Sequence, residues 1–298
     1  MKRISTLQGF FFLMCSQIMV GINIVFSKYV LATIPEILVL TLRFSLAALI
    51  LLPLHWLSAD RKKPILFYFS QLNKKDWFFI FGQALTAGIL FNAFMLGGLH
   101  YTDANVAGII TSALPAIIAL MCWLILREKI TTKKLICVGL ATLGLVVIAS
   151  DKILGVGASH SFKGDILVFI SLFPEATYYI LSKMHPIKMP VFLISALLNA
   201  INAVILFFIS LFSLNHGVII HSSEWLILIL LGLSAGLFFV FWFFGCQKVD
   251  GLMASLSTGI MPLATVIIAW VVLGEQLTQW QIVGMGMVIL SIVVYAKR

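Results

Sequence analysis

The chain has 298 residues, of which 61% are hydrophobic and only 10% charged, and its mean hydropathy is +1.11. One water-soluble globule cannot hide that much apolar surface, so the composition excludes a soluble domain and leaves a polytopic membrane protein. The formal charge of +9 would suggest nucleic acid in a soluble chain, but here the basic residues sit between apolar runs, where they report orientation and give no reason to expect a nucleic-acid partner.

Apolar stretches of about 20 residues, enough to cross a bilayer, can be laid down ten times, at 9–31, 35–57, 77–99, 104–126, 133–150, 164–184, 190–212, 225–245, 252–273 and 280–296. The expected fold class is all-α, with ten transmembrane helices. With the N-terminus in the cytoplasm, only Lys28, Lys152 and Lys163 fall in outer segments and Arg43 within a span. All other Lys and Arg residues lie inside, which predicts both termini in the cytoplasm. Span 1 follows Lys2 and Arg3 but is too long for the apolar core of a secretory signal, and it carries Asn23 well inside.

Span 1 aligns Ser16, Asn23 and Ser27 along one helical face. The serines suit hydrogen bonds to neighbouring helices; the Asn23 amide suits either a neighbour or a bound solute. Span 2 starts at Pro35 and carries Arg43 about 12 Å below its outer end, at about 1.5 Å per residue. A guanidinium there costs at least ~2.5–3.5 kcal/mol and must find an anion or water. It either faces a cavity and holds an anionic group, or tethers two helices. Residues 58–76 form the longest polar break, basic at both ends around Phe67, Tyr68 and Phe69, as expected of a segment lying on anionic membrane lipid.

Span 3 has Gln83 and Thr86 on one face and Asn92 nearly opposite. Span 4 carries Pro115, which removes a backbone donor and predicts a kink that gates a cavity or only shapes packing. Span 6 holds Glu175 near mid-membrane, directly after Pro174, and no other acidic residue lies as deep. It can couple protons, which makes protons a candidate coupling ion; it can face a cationic substrate group; or it can pair with Arg43. Tyr178 or Tyr179 continues its face. Span 7 has an inward stripe of Ser195, Asn199 and Asn202. Span 8 is aromatic, and Trp242 or Phe238 could stack on a planar substrate. Span 9 carries Pro262.

The chain repeats itself. Asp103, Pro115, Trp123, Glu128 and Thr131 recur 147 positions on as Asp250, Pro262, Trp270, Glu275 and Thr278. Gly9, Ser27, Lys28 and Pro35 recur 155 positions on as Gly164, Ser182, Lys183 and Pro190. The expected domains are therefore residues 1–150 and 151–298. Each holds five spans, an odd number, so the second enters the membrane from the opposite side. Such inverted repeats put a shared site at mid-depth between them. Glu128 and Glu275, near the membrane boundary, read as gate or cap residues.

Gly232, Leu233, Ser234, Ala235 and Gly236 spell G-x-S-x-G, but hydrolase chemistry needs a strand-to-helix elbow with a histidine and an acid in range. Inside an apolar span the small residues suit helix packing. The four cysteines and six histidines show no disulfide framework or metal-ligand spacing, and no cofactor motif occurs.

The paired Pro, Trp, Glu and Thr of spans 4 and 9, the run Gly21, Ile22, Asn23, and Pro35 followed by Arg43 and Phe44 resemble the EamA-type members of the drug/metabolite transporter superfamily. The resemblance covers nearly the whole chain. It implies a ten-helix carrier whose central cavity is lined mainly by spans 1, 3, 4, 6, 8 and 9, moving small metabolites such as amino acids across a bacterial inner membrane. Together with the residues, it points to a secondary carrier of a small polar or zwitterionic metabolite, an amino acid or a derivative. The substrate-site candidates are Glu175, Asn23, Arg43, Gln83, Tyr178 and Trp242, and the kink or gating candidates are Pro115, Pro262 and Pro174. S-adenosylmethionine or another nucleoside-bearing metabolite is the alternative cargo. A membrane-embedded enzyme or lipid-handling protein is the alternative class.

Overall fold

A computed structural model describes residues 2–58, 63–126, 161–213, 220–249, 254 and 257–296, together with scattered positions between 132 and 147. The expected fifth span, 133–150, and the residues Glu128, Thr131 and Asp250 of the repeated stretch lie outside the described residues.

All regular structure among the described residues is helical. In lipid no water is available to pair with backbone groups, and a helix satisfies them within one segment. The helices are α1 (Lys2–Val30), α2 (Glu36–Leu57), α3 (Ile65–Ser70), α4 (Lys74–Gln83), α5 (Phe91–Leu99), α6 (Ala104–Ile110), α7 (Leu114–Leu126), α8 (Phe162–Met184), α9 (Val191–Ser213), α10 (Ser222–Cys246), α11 (Ile260–Leu273) and α12 (Gln279–Ala296). A π-helical turn, Ala84–Leu90, joins α4 to α5, and a 3₁₀ turn, Thr111–Ala113, joins α6 to α7. Seven of the resulting rods are long and apolar enough to cross a bilayer; α11 is apolar but shorter. The short α3 carries the aromatic part of the 58–76 break, with the Lys63 Nζ 4.0 Å from the Phe67 ring centroid.

Two helices begin at reciprocal caps. Asn73 and Asp76 form a capping box at α4, and His221 and Glu224 form one at α10. These polar starts extend spans 3 and 8 a few residues ahead of their apolar runs. Span 9 is interrupted by a turn at Thr258 and Gly259, between the helical positions Ala254 and Ser257 and the start of α11 at Ile260. It ends at Gly274, whose φ of +67° is the left-handed conformation that glycine adopts without strain.

Most packing runs between helices before residue 127 and helices after residue 161. α2 lies against α9 and α10, α1 against α10 and α11, α5 and α7 against α8, and α6 against α11. Contacts at the rod ends give their directions. The start of α1 meets the end of α10, where a Cβ on Gly9 would lie 2.7 Å from that of Lys248. Past the end of α1, Thr33 Oγ1 donates to Glu224 Oε1 at the start of α10 (2.5 Å). Lys28 Nζ donates to the carbonyls of Leu99 (2.5 Å) and Thr102 (2.9 Å) at the end of α5. Thr102 Oγ1 donates to Asp165 Oδ1 at the start of α8 (2.8 Å). At the opposite face Asp76, at the start of α4, bonds His185, just past α8 (2.6 Å). The α4–α5 rod is therefore parallel to α1, and both are antiparallel to α8 and α10.

Candidate functional site

The core of the molecule holds polar side chains that lipid would not tolerate: Arg43, Asn92 and Glu175 are buried at 2%, 6% and 1% exposure. They line one small cavity together with Val20 and Asn23 of α1, Phe44 of α2, Ala87 of the π turn, Phe91 of α5, and Ala235, Phe238 and Phe239 of α10. Its volume is about 30 Å³. That accommodates one or two water molecules and no metabolite, so the structure is closed around the site.

Arg43 reaches the cavity from the middle of α2. Its Nη2 donates to Asn92 Oδ1, while Nε and Nη1 have no hydrogen-bond partner. Asn92 is held by the other end of its amide, which donates to the carbonyls of Ala87 (2.9 Å) and Gly88 (2.6 Å). The π turn lies immediately before the helix that carries Asn92. In an unbroken α-helix Asn92 would lie on the far side from Gln83, at about 100° per residue; a π turn inserts an extra residue and rotates the rest of the rod. The side chain of Asn202 in α9 packs directly where a Cβ of Gly88 would stand. Only glycine admits that neighbour.

Glu175 lies one residue beyond Pro174 within α8, which continues unbroken from Phe162 to Met184. Its Oε1 has no partner, and Tyr179, one turn on, is its hydrogen-bonding neighbour. The Tyr179 hydroxyl in turn accepts from Gln17 Nε2 (3.3 Å). Asn23 donates to the Met19 carbonyl (2.9 Å), and its Oδ1 is unpartnered. Glu36 ends against His100 at 3.7 Å, away from Arg43.

Of the sequence candidates, Asn23, Arg43 and Glu175 come together on this cavity, whereas Gln83, Tyr178 and Trp242 do not line it. Gln83 is buried at the end of α4 with its Oε1 unpartnered. Tyr178 and Trp242 belong to an aromatic layer beside the cavity, in which the Tyr179 and Trp242 centroids are 4.3 Å apart and those of Tyr178 and Phe239 5.6 Å apart. Trp242 Nε1 donates to Ser182 Oγ (3.4 Å). The walls Phe91 and Asn92 are not among the candidates, and no periodic pattern could have signalled Asn92 across a π turn.

The three prolines differ. Pro115 follows the 3₁₀ turn, where the Leu114 N–H takes the Thr111 carbonyl and Thr111 Oγ1 donates to the Gly108 carbonyl (2.5 Å). Pro262 lies in the first turn of α11, where a missing N–H costs least. Pro174 leaves α8 unbroken. The described residues of spans 4 and 9 do not line the cavity; they close on each other and on α1, where Cβ atoms on Gly108 and Gly21 would meet Thr265 at 2.8 and 3.0 Å. Glu275, beyond α11, caps α6, accepting from the N–H groups of Ala104 (3.0 Å) and Asn105 (2.7 Å). Burial pushes its carboxyl above the ordinary range, and these donors pull against that shift. Ser234 of the G-x-S-x-G run is buried in mid-helix and donates to the Leu231 carbonyl (3.0 Å); Gly232 and Gly236 let α10 lie against Leu46 and Leu51 of α2.

Apolar membrane-length helices around a small, mostly apolar cavity with buried polar groups define the class as a multi-pass membrane protein, and the comparisons with known proteins give the family. Residues 7–150 and 162–296 match the EamA-like transporter family, to which the chain belongs. An uncharacterized transporter, YetK of Bacillus subtilis, is 30% identical over 91% of this chain and 81% of its own length. An uncharacterized transporter of Archaeoglobus fulgidus is 24% identical over 75% and 79%. A crystal structure of a protein 17% identical to this one superposes with a TM-score of 0.67 over 99% of this chain and 96% of its own, which shows a shared fold.

Proposed function

We propose that the chain is a secondary carrier of a small zwitterionic metabolite, an amino acid or a derivative, working by alternating access between two inverted five-helix halves. The observation that carries the substrate class is the set of unsatisfied groups on residues lining one cavity: Nε and Nη1 of Arg43, Glu175 Oε1 and Asn23 Oδ1. A buried charge or dipole without a partner is costly. A ligand with a carboxylate for Arg43 and an ammonium for Glu175 and Asn23 satisfies all of them. The apolar remainder of such a ligand would lie against Phe91, Phe238 and Phe239.

The sequence offsets of 147 and 155 and the antiparallel run of α1 with α8 and of α5 with α10 support the inverted-repeat reading. The two family matches, 7–150 and 162–296, support reading residues 1–150 and 151–298 as the two repeats. Repeats of this kind make two similar gates around a fixed central site. The distribution of Lys and Arg and the bacterial relatives support an inner-membrane location with both termini cytoplasmic. A nucleoside-bearing cargo such as S-adenosylmethionine is the second reading, favoured by the aromatic wall of Phe91, Phe238 and Phe239.

Counterflow in reconstituted vesicles, with a panel of amino acids and nucleoside-bearing metabolites, tests the reading. The expected result is exchange of at least one zwitterion, recovered chemically unchanged, with flux lost in Arg43→Met. Glu175→Gln is expected to abolish the pH dependence of that flux. Exchange confined to uncharged solutes, or recovery of altered products, would refute the assignment.

A further inference from the structure

The capping boxes of α4 and α10 do more than start two helices. Asn73 and His221, like Asp76 and Glu224, stand 148 positions apart, so the boxes are copies of one device. In each, one carboxylate oxygen accepts from the cap residue's own N–H: Asp76 Oδ2 from Asn73 (2.9 Å) and Glu224 Oε2 from His221 (2.7 Å). The second oxygen crosses to the first helix of the other half. Asp76 Oδ1 takes His185 Nε2 (2.6 Å), just past α8, and Glu224 Oε1 takes Thr33 Oγ1 (2.5 Å), just past α1. The His185 ring is also stacked on Phe79 of α4, with centroids 4.7 Å apart. Because α4–α5 and α10 run in opposite directions, the two bridges lie at opposite faces. The closed cavity lies between them.

We propose that Asp76–His185 and Glu224–Thr33 are a matched pair of face latches, each of which must open to expose the cavity on its own side while the other stays shut. The capping box suits the task. It fixes the carboxylate in place whether or not the cross-half partner is present, so opening a latch loses one hydrogen bond and leaves the helix start intact. The bond also re-forms without a search for the rotamer. Both latches are shut here, in keeping with the cavity of about 30 Å³. The inference rests on the carrier reading but names residues outside the substrate cavity.

The test replaces only the partners, His185→Ala and Thr33→Val, so that both capping boxes survive. The reporter is Ala235→Cys, on the cavity wall, in a chain whose four native cysteines are replaced by alanine. A membrane-impermeant maleimide is applied to right-side-out and inverted vesicles. His185→Ala should raise labelling about fivefold from the His185 face alone, the population shift expected for one lost hydrogen bond. Thr33→Val should do so from the opposite face alone. Equal increases from both faces, or no change in either variant, would overturn the latches. Face-selective labelling without counterflow of any metabolite would instead count against the carrier reading while the latches stand.

Discussion

Replacing Asn92 by leucine should be among the most damaging single changes in the protein. The amide supplies Arg43 with its one protein acceptor and donates to the carbonyls of Ala87 and Gly88. A hydrogen bond to a charged group contributes ~1.5–3 kcal/mol and each neutral one ~0.5–1.5 kcal/mol. With Arg43 buried at 2% exposure, water cannot readily replace them, so Asn92→Leu should cost about 3–5 kcal/mol, the range expected when one partner of a buried charged pair is removed. The sharper expectation concerns Arg43→Met combined with Asn92→Leu. Removing the charge together with its acceptor should cost less than Asn92→Leu alone, although the double variant should carry no substrate. Denaturation in lipid nanodiscs would measure all three variants. A loss under ~1 kcal/mol for Asn92→Leu, or strictly additive losses in the double variant, would mean that Arg43 is hydrated and that Asn92 is not its anchor.

Other contacts give two further expectations. Gly88→Ala should destabilise by about 1–3 kcal/mol through collision with Asn202, and Asn202→Ala in the same chain should restore part of the loss; a double variant no more stable than Gly88→Ala would refute the contact. Glu275 has its folded carboxyl pKa raised above 4.5, so its proton-linked stability is fully present below the unfolded value and is lost as pH rises through the folded one. Glu275→Gln keeps one acceptor oxygen, for either Ala104 or Asn105, and removes the buried charge. Its stability relative to the natural chain should therefore rise with pH, and a melting-temperature difference that is flat with pH would contradict the assignment.

Hydropathy locates the rods well because apolar length is what the bilayer selects; α2, α8 and α9 begin and end within about two residues of the expected 35–57, 164–184 and 190–212. It misses the starts of α4 and α10, where the determinant is a pair of polar caps. It does not register the turn at Thr258 and Gly259 within span 9, where the residues remain apolar. Within the site, Arg43, Glu175 and Asn23 are legible because ionisable and amide groups in mid-span demand partners. Asn92 is not, since it follows a π turn, Ala84–Leu90, that breaks the helical period from which its facing would be read. Gln83, Tyr178 and Trp242 share helices with site residues but face neighbouring layers, a distinction that only packing makes.

The way the cations are satisfied bears on how the chain is made. Arg43 finds its acceptor on α5, and Lys28 finds both of its carbonyls at and just past the end of α5; all of these partners precede residue 127. The ribosome thus releases an amino-terminal half whose buried positive charges already have acceptors on their own stretch of polypeptide. That half can wait in the bilayer with its apolar flanks against acyl chains, for which lipid is as good a neighbour as protein. Docking of the later helices then displaces lipid while Lys28 and one nitrogen of Arg43 keep acceptors within the amino-terminal half.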